Sequence, residues 1–252
     1  MEILIAQDLE AISTEAARMF MNLSEKYIQA SGRFVVALSG GTTPKRLYQI
    51  LASVQYQKNI DWSNVHIFFV DERFVPLDHP DSNFGLIHET LLQGISLPTE
   101  NIHPINTCCS SPAVSAKNYE ADIENFFEID AKHIFPQFDL IVLGIGEDGH
   151  TASLFPNSRV LSDKERLAVA VQSRKRQHRR ITLTLPVLNS ARNIVFLVSG
   201  KRKASIMKKV LMLRVKSLPA SLINPDHGKY LFSTDKAAST YILNNSAMNI
   251  TK

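Results

Sequence analysis

Four short segments of this chain carry residue types that can do chemistry. One is Gly144-Ile-Gly-Glu-Asp-Gly-His150, which follows the apolar run Phe138-Asp-Leu-Ile-Val-Leu143. His150 can serve as a base near neutral pH, with Asp148 or Glu147 to orient its ring or raise its basicity. A histidine after a turn reads as readily as a structural hydrogen bonder. It could also bind a metal, but no second histidine stands at ligand spacing. Glycines let titratable side chains project from the carboxyl end of a strand, the edge where open α/β sheets bind ligands.

The second segment, Ser39-Gly-Gly-Thr-Thr-Pro44, lies between an apolar run and a helical pattern. Ser39, Gly40, Gly41 and Thr42 could cradle a phosphate on exposed N–H groups at a helix start, or form a plain tight turn. Neither the GxxxxGK[ST] nor the GxGxxG pattern is present. The third segment, Asp71-Glu-Arg73, offers a guanidinium for a phosphate, a carboxylate or a developing oxyanion; its bland reading is a surface salt-bridge cluster. The fourth places Lys203 just after Val198-Ser-Gly200, where an ordinary surface lysine is the competing reading.

The elements that must position these groups can be read from periodicity. Leu9, Ile12, Ala16, Met19, Phe20, Leu23 and Tyr27 form one apolar face of a helix over 8–30, with Gly32 as its stop. Phe34–Leu38 reads as a strand, followed by a helix that Thr43 can cap with Pro44 at its first position. Val65–Val70, Phe138–Leu143, Ile181–Leu185 and Asn193–Val198 are further strands. Helices are expected over 82–92, 113–127 and 187–191, with another opening at Gly200, and 98–112 reads as irregular. This alternation argues for an α/β, Rossmann-like fold, a mainly parallel sheet with helices on both faces, formed by one domain over 1–252.

Composition narrows the partners. A net charge of +4 over 252 residues suits an anionic metabolite as well as a nucleic acid. The run Arg174–Arg180 lacks interleaved aromatic residues and any recognised nucleic-acid module, so a solvated loop is expected and no nucleic-acid partner. Cys108 and Cys109 are adjacent, a spacing that suits neither an ordinary structural disulfide nor a zinc site. The acidic opening residues do not match a secretion signal, and no apolar stretch reaches about eighteen residues. A cytoplasmic protein without membrane contact is expected.

Together the segments resemble the 6-phosphogluconolactonases of the glucosamine-6-phosphate isomerase/6-phosphogluconolactonase family. The resemblance rests on Leu38-Ser-Gly-Gly-Thr-Thr-Pro44, Val70-Asp-Glu-Arg-Phe-Val-Pro76 with Asp81-Ser-Asn83, Leu143 to Pro156, and Arg180-Ile-Thr-Leu-Thr184 leading to Gly200-Lys-Arg-Lys-Ala204. Pro219-Ala-Ser-Leu222, Asp235 and Ala237-Ala238 extend it. It implies hydrolysis of 6-phospho-D-glucono-1,5-lactone to 6-phospho-D-gluconate in the oxidative pentose phosphate pathway, without metal or cofactor. His150 matches the family's catalytic histidine, which would activate water. Gly40, Gly41, Thr42, Arg180 and Lys203 match positions lining the phosphosugar site, and Asp71 and Arg73 match a motif at the same pocket. A monomer or weak homodimer is expected. The run Arg174–Arg179 departs from the family pattern.

Two alternatives carry different signatures. Glucosamine-6-phosphate deaminases continue Asp-Gly-His-Ile-Ala-Phe-Asn-Glu-Pro, whereas this chain reads Asp148-Gly-His-Thr-Ala-Ser-Leu-Phe-Pro156 and lacks the carboxylate expected to assist ring opening. A non-catalytic sugar-phosphate sensor should carry a fused DNA-binding domain, for which the early first helix leaves no room.

Overall fold

The computed structural model describes residues 1–131, 134–172, 177–225, 227–242 and 250–251. In chain order the elements are β1 (Glu2–Ala6), α1 (Leu9–Ser31), β2 (Phe34–Leu38), α2 (Thr42–Leu51), α3 (Val54–Asn59), β3 (Val65–Phe69), β4 (Asp71–Arg73), α4 (Asn83–Thr90), β5 (Ile102–His103), α5 (Pro112–Phe127) and β6 (Leu140–Leu143). Then follow β7 (Ala168–Val171), β8 (Arg180–Leu183), α6 (Leu185–Asn189), β9 (Asn193–Val198), α7 (Ala204–Met207), β10 (Lys229–Asp235) and β11 (Ile250–Thr251). A 3₁₀ turn, Lys201–Lys203, leads into α7, which runs on as a π-helical turn, Lys208–Met212.

Local chemistry explains the ends of α1. The Asp8 carboxylate accepts a hydrogen bond from Ala11 N at 2.9 Å, and Gly32 takes the left-handed conformation, φ 75°, that closes a helix. α2 begins earlier than its sequence pattern suggests. Its N-cap is Gly41, with no side-chain cap, and Thr43 lies inside the first turn.

The main sheet has the order β11-β1-β10-β9-β6-β2-β3-β5, and every pairing is parallel. Helices cover both faces. Phe34 on β2 meets Phe20 of α1 and Phe69 on β3 meets Phe84 of α4, whereas Phe68 turns to Phe126 of α5. The register Leu38↔Phe69 puts Phe34 and Phe69 on one face and Phe68 on the other. The chain leaves β2 towards β3 and β5, then returns to β6 on the other side of β2 and continues to β9 and β10. The crevice between the carboxyl ends of β2 and β6 is therefore the point where the winding reverses, the preferred ligand position in such sheets.

A second sheet, β4-β8-β7, is antiparallel and was not expected from the sequence. Asp71–Arg73 forms its edge strand and does not simply trail off β3. The sequence pattern likewise does not mark β1, β5, β7, β10 and β11; β5 lies in the segment 98–112 that reads as irregular. Such short runs take their conformation from the strands they pair with.

Beneath α5, His66 Nδ1 lies 3.4 Å from His103 Nε2, and Asp122 Oδ2 lies 3.2 Å from His103 Nδ1. Burial, reinforced by His103 and Arg33, pushes the His66 imidazole down from 6.5 to about 4. Its stabilising contribution is present above pH 6.5 and is lost as pH falls towards 4, because the unfolded chain then binds a proton that the folded chain refuses. Denaturant unfolding at pH 7, 5.5 and 4.5 should show wild type losing more stability on acidification than His66→Leu. Parallel pH dependences would refute this assignment.

Candidate active site

The loop after β2 is shaped by two supports and one close approach. Ser39 Oγ donates to the Val142 carbonyl of β6 at 2.7 Å, and Tyr48 of α2 donates its hydroxyl to the Ser39 carbonyl at 2.5 Å. A Cβ on Gly40 would stand 1.8 Å from Asn83 Oδ1, so only glycine allows this backbone to lie against the Asn83 amide. Gly41, at φ 115°, makes the turn into α2. The unpaired N–H groups and partial positive charge of a helix start then face the crevice.

β4 divides its three charges by strand alternation. Glu72 turns inward and is almost fully buried. Its carboxylate accepts hydrogen bonds from Arg73 N, Asn83 N and Phe84 N, each at 2.7 Å, and from Ser82 Oγ at 3.0 Å. It thereby caps α4 and delivers Asn83 to the crevice. Burial raises the Glu72 pKa above the usual carboxyl value despite those donors. Asp71 faces the crevice and is also buried. Its Oδ2 accepts from Ser153 Oγ at 2.5 Å, and Asn83 Nδ2 donates to its carbonyl at 2.8 Å. Arg180 Nη1 stands 3.7 Å from Asp71 Oδ2 and 3.3 Å from Ser153 Oγ. Arg73 and Arg180 are register partners across β4 and β8, so two guanidinium side chains rise side by side.

The loop after β6 folds back through Gly146 N to the His150 carbonyl (2.8 Å) and Gly149 N to the Gly146 carbonyl (2.9 Å). Asp148 Oδ1 accepts from His150 N and pairs with His150 Nδ1. A Cβ on Gly146 would lie 2.0 Å from His150 Nδ1 and 2.6 Å from Asp148 Oδ1, so the absence of a side chain is what seats this pair. Phe155 packs on the imidazole with ring centroids 5.0 Å apart. Lys203 Nζ reaches across from the turn after β9 to the Ile145 carbonyl at 2.7 Å.

Ser39, Gly40, Gly41, Thr42, Asp71, Arg73, His150, Arg180 and Lys203 line one cavity of about 210 Å³ at the winding reversal; Asp148 stands beside His150 as its carboxylate partner, whereas Glu147 lies 3.4 Å from Arg202 Nε. Asn83 lines it as well, and its role was not legible beyond its place in the Asp81-Ser-Asn83 block. Ser153 and Tyr48 act one step back from the cavity, and nothing in the sequence marked them for that. A larger hollow of about 550 Å³, bordered by Arg192, Lys229 and Tyr230, lies near the amino ends of β9 and β10 and contains none of these groups. Arg174, Lys175 and Arg176 of the basic run lie outside the described residues. Among the described residues no group of three or more His, Cys, Asp or Glu side chains is arranged to hold a metal ion.

Glu72→Gln would set an amide N–H₂ against backbone N–H donors. We expect a loss of about 2–4 kcal/mol of stability, or roughly 5–15 °C in Tm by calorimetry. An unchanged melting point would show that the carboxylate does not hold α4 in place.

The family model described as glucosamine-6-phosphate isomerases/6-phosphogluconolactonase matches residues 7–232. A 6-phosphogluconolactonase of Synechocystis sp. is 38% identical over 239 residues, which cover 94% of this chain and 93% of that protein. The solved structure of a 6-phosphogluconolactonase from Trypanosoma cruzi matches with a TM-score of 0.85 at 26% identity, covering 96% of this chain and 97% of the other. A monomeric glucosamine-6-phosphate deaminase shares the fold at a TM-score of 0.79 and 21% identity, over 95% of this chain and 99% of its own. With β2, β3, β5, β6 and β9 of the main sheet inside the matched region and the crevice built from its loops, the chain belongs to the glucosamine-6-phosphate isomerase/6-phosphogluconolactonase family.

Proposed function

We propose that this chain hydrolyses 6-phospho-D-glucono-1,5-lactone to 6-phospho-D-gluconate in the oxidative pentose phosphate pathway. The observation that carries the reading is the His150–Asp148 pair, held by Gly146 in the same cavity as Arg73, Arg180 and Lys203. Asp148 accepts the Nδ1 proton and leaves Nε2 with its lone pair, the state a general base requires. Nε2 takes a proton from water as the oxygen attacks the lactone carbonyl. The resulting imidazolium returns the proton to the ring oxygen as the carbon–oxygen bond breaks. Asp71, tied to Asn83, Ser153 and Arg180, orients the cationic wall rather than accepting the water's proton. Two arginines that leave the same face of neighbouring strands and line one cavity suit an anionic group between them. The α2 start and Lys203 complete an environment suited to a phosphate and a developing oxyanion.

Phe155 favours this reaction over amino-sugar deamination. It stands where the deaminase motif has its glutamate, and its ring packs on His150. A δ-lactone is an activated ester, so one base and a few fixed donors suffice. The reading includes a single domain over 1–252, a cytoplasmic setting and a monomer or weak homodimer; no described helix is long and apolar enough to cross a membrane.

Acid release from freshly generated 6-phosphoglucono-δ-lactone, above the spontaneous rate, tests this directly. His150→Ala should lower kcat by about 10²- to 10⁴-fold while 6-phosphogluconate still binds. A folded wild type that does not accelerate the reaction would eliminate the lactonase reading.

Gly146 does not need a positive φ, so alanine fits its backbone and perturbs only the pair it seats. Gly146→Ala should lower kcat by more than about 10-fold with a melting point near wild type. Full activity would mean that the His150–Asp148 geometry is not required.

A further inference from the structure

Arg73 is gripped at one end of its guanidinium. Nη1 donates to the Asp81 carbonyl at 2.6 Å, whereas Nε is buried with no hydrogen-bond partner among the described residues. The side chain lines the cavity, so its orientation depends on where the Asp81 carbonyl sits. That peptide belongs to the turn between β4 and α4, which is held from outside the cavity. Asp81 Oδ2 pairs with His178 Nε2 at 2.9 Å, Asp81 N donates to His79 Nδ1 at 3.0 Å, and the His79 and His178 rings meet edge to face at 5.6 Å. The strand lead-in that carries His178 is itself tied to β4, since Phe74 N donates to the Arg179 carbonyl at 2.8 Å. His178 is two residues ahead of Arg180, the register partner of Arg73.

We propose that Asp81 and His178 form a latch whose role is to position Arg73 for the phosphosugar. The latch closes β4 and β8 together outside the cavity and fixes the carbonyl that aims the guanidinium. The Asp81 side chain is 54% exposed, so the pair adds little to global stability and acts through geometry. His178 draws the Asp81 carboxyl below its ordinary pKa, in keeping with a formed pair. The inference rests on the phosphosugar reading for the ligand, but the aiming of Arg73 can be tested without any ligand.

His178→Ala should raise KM for the phosphorylated lactone and Kd for 6-phosphogluconate by about 3- to 10-fold, with a smaller change in kcat and no shift in Tm. His178→Gln, which keeps a donor near the Nε2 position, should restore most of the affinity, and His178→Phe should not. In an Arg73→Ala background the same His178→Ala change should add nothing. Rescue by phenylalanine, or equal effects in both backgrounds, would overturn the latch. Unphosphorylated glucono-δ-lactone separates the ligand's parts: an effect confined to the phosphorylated substrate places Arg73 at the phosphate, and an equal effect on both places it at the oxyanion. If wild type binds no sugar phosphate, the lactonase reading fails and the latch is judged by NMR. The Arg73 Nε–H signal, assigned by its loss in Arg73→Lys, should then move on His178→Ala and return on His178→Gln; a signal indifferent to His178 would refute the latch.

Discussion

β2 and β6 share few ladder residues, Val36 with Leu140 and Ala37 with Ile141, and side chains complete the seam at both ends. At the amino end, Asp139 Oδ2 accepts from Val35 N at 2.9 Å, while Asn193 Nδ2 donates to the Asp139 carbonyl at 2.8 Å, joining β2, β6 and β9. At the carboxyl end, Ser39 Oγ spans to Val142. Burying the Asp139 carboxyl raises its pKa, a desolvation cost offset by that backbone donor and by Arg192. Because this seam is where the winding reverses, its alignment sets how the loops carrying Gly40 and His150 face each other. A slip of one residue would turn every side chain on these strands to the opposite face.

Around the seam, carboxylates divide the structural and chemical work according to which way each points. Glu72 and Asp71 are neighbours in sequence, yet one caps a helix and the other braces a cationic wall, because strand alternation sends them to opposite sides. Asp148 performs a third task by fixing the orientation of one imidazole. The cations occupy the cavity, and the mildly basic net charge of the whole chain matters less than this local arrangement. The Arg73 and Arg180 side chains that line the cavity are already held by the Asp81 carbonyl and by Asp71 and Ser153, so their donors are in place without reorganisation.

Relatives with the same architecture carry names for two different reactions, a lactone hydrolysis and an amino-sugar conversion. The sheet and crevice are common ground, and the fold alone does not choose between them. Here the residue beneath the imidazole is an aromatic ring, which shields one face of His150 and offers no second carboxylate for acid–base work on a sugar ring.

Several features were legible in the chain itself because their causes are local. The apolar runs Phe34–Leu38 and Asn193–Val198, the Asp8 and Gly32 signals around α1, and the glycine-rich loops after β2 and β6 all act within a turn or a few residues, and each stands where its pattern indicates. The family resemblance also identified the residues that gather at the crevice. Tertiary structure decided the rest: the pairing of Asp71–Arg73 with β8, the capping of α4 by Glu72, the contact of Gly40 with Asn83, and the bond between Ser153 and Asp71, which are 82 positions apart. These contacts join segments whose own composition says nothing of each other. Short strands and single glycines carry too little local preference to announce a partner, so only burial and hydrogen-bond satisfaction in the assembled core select one.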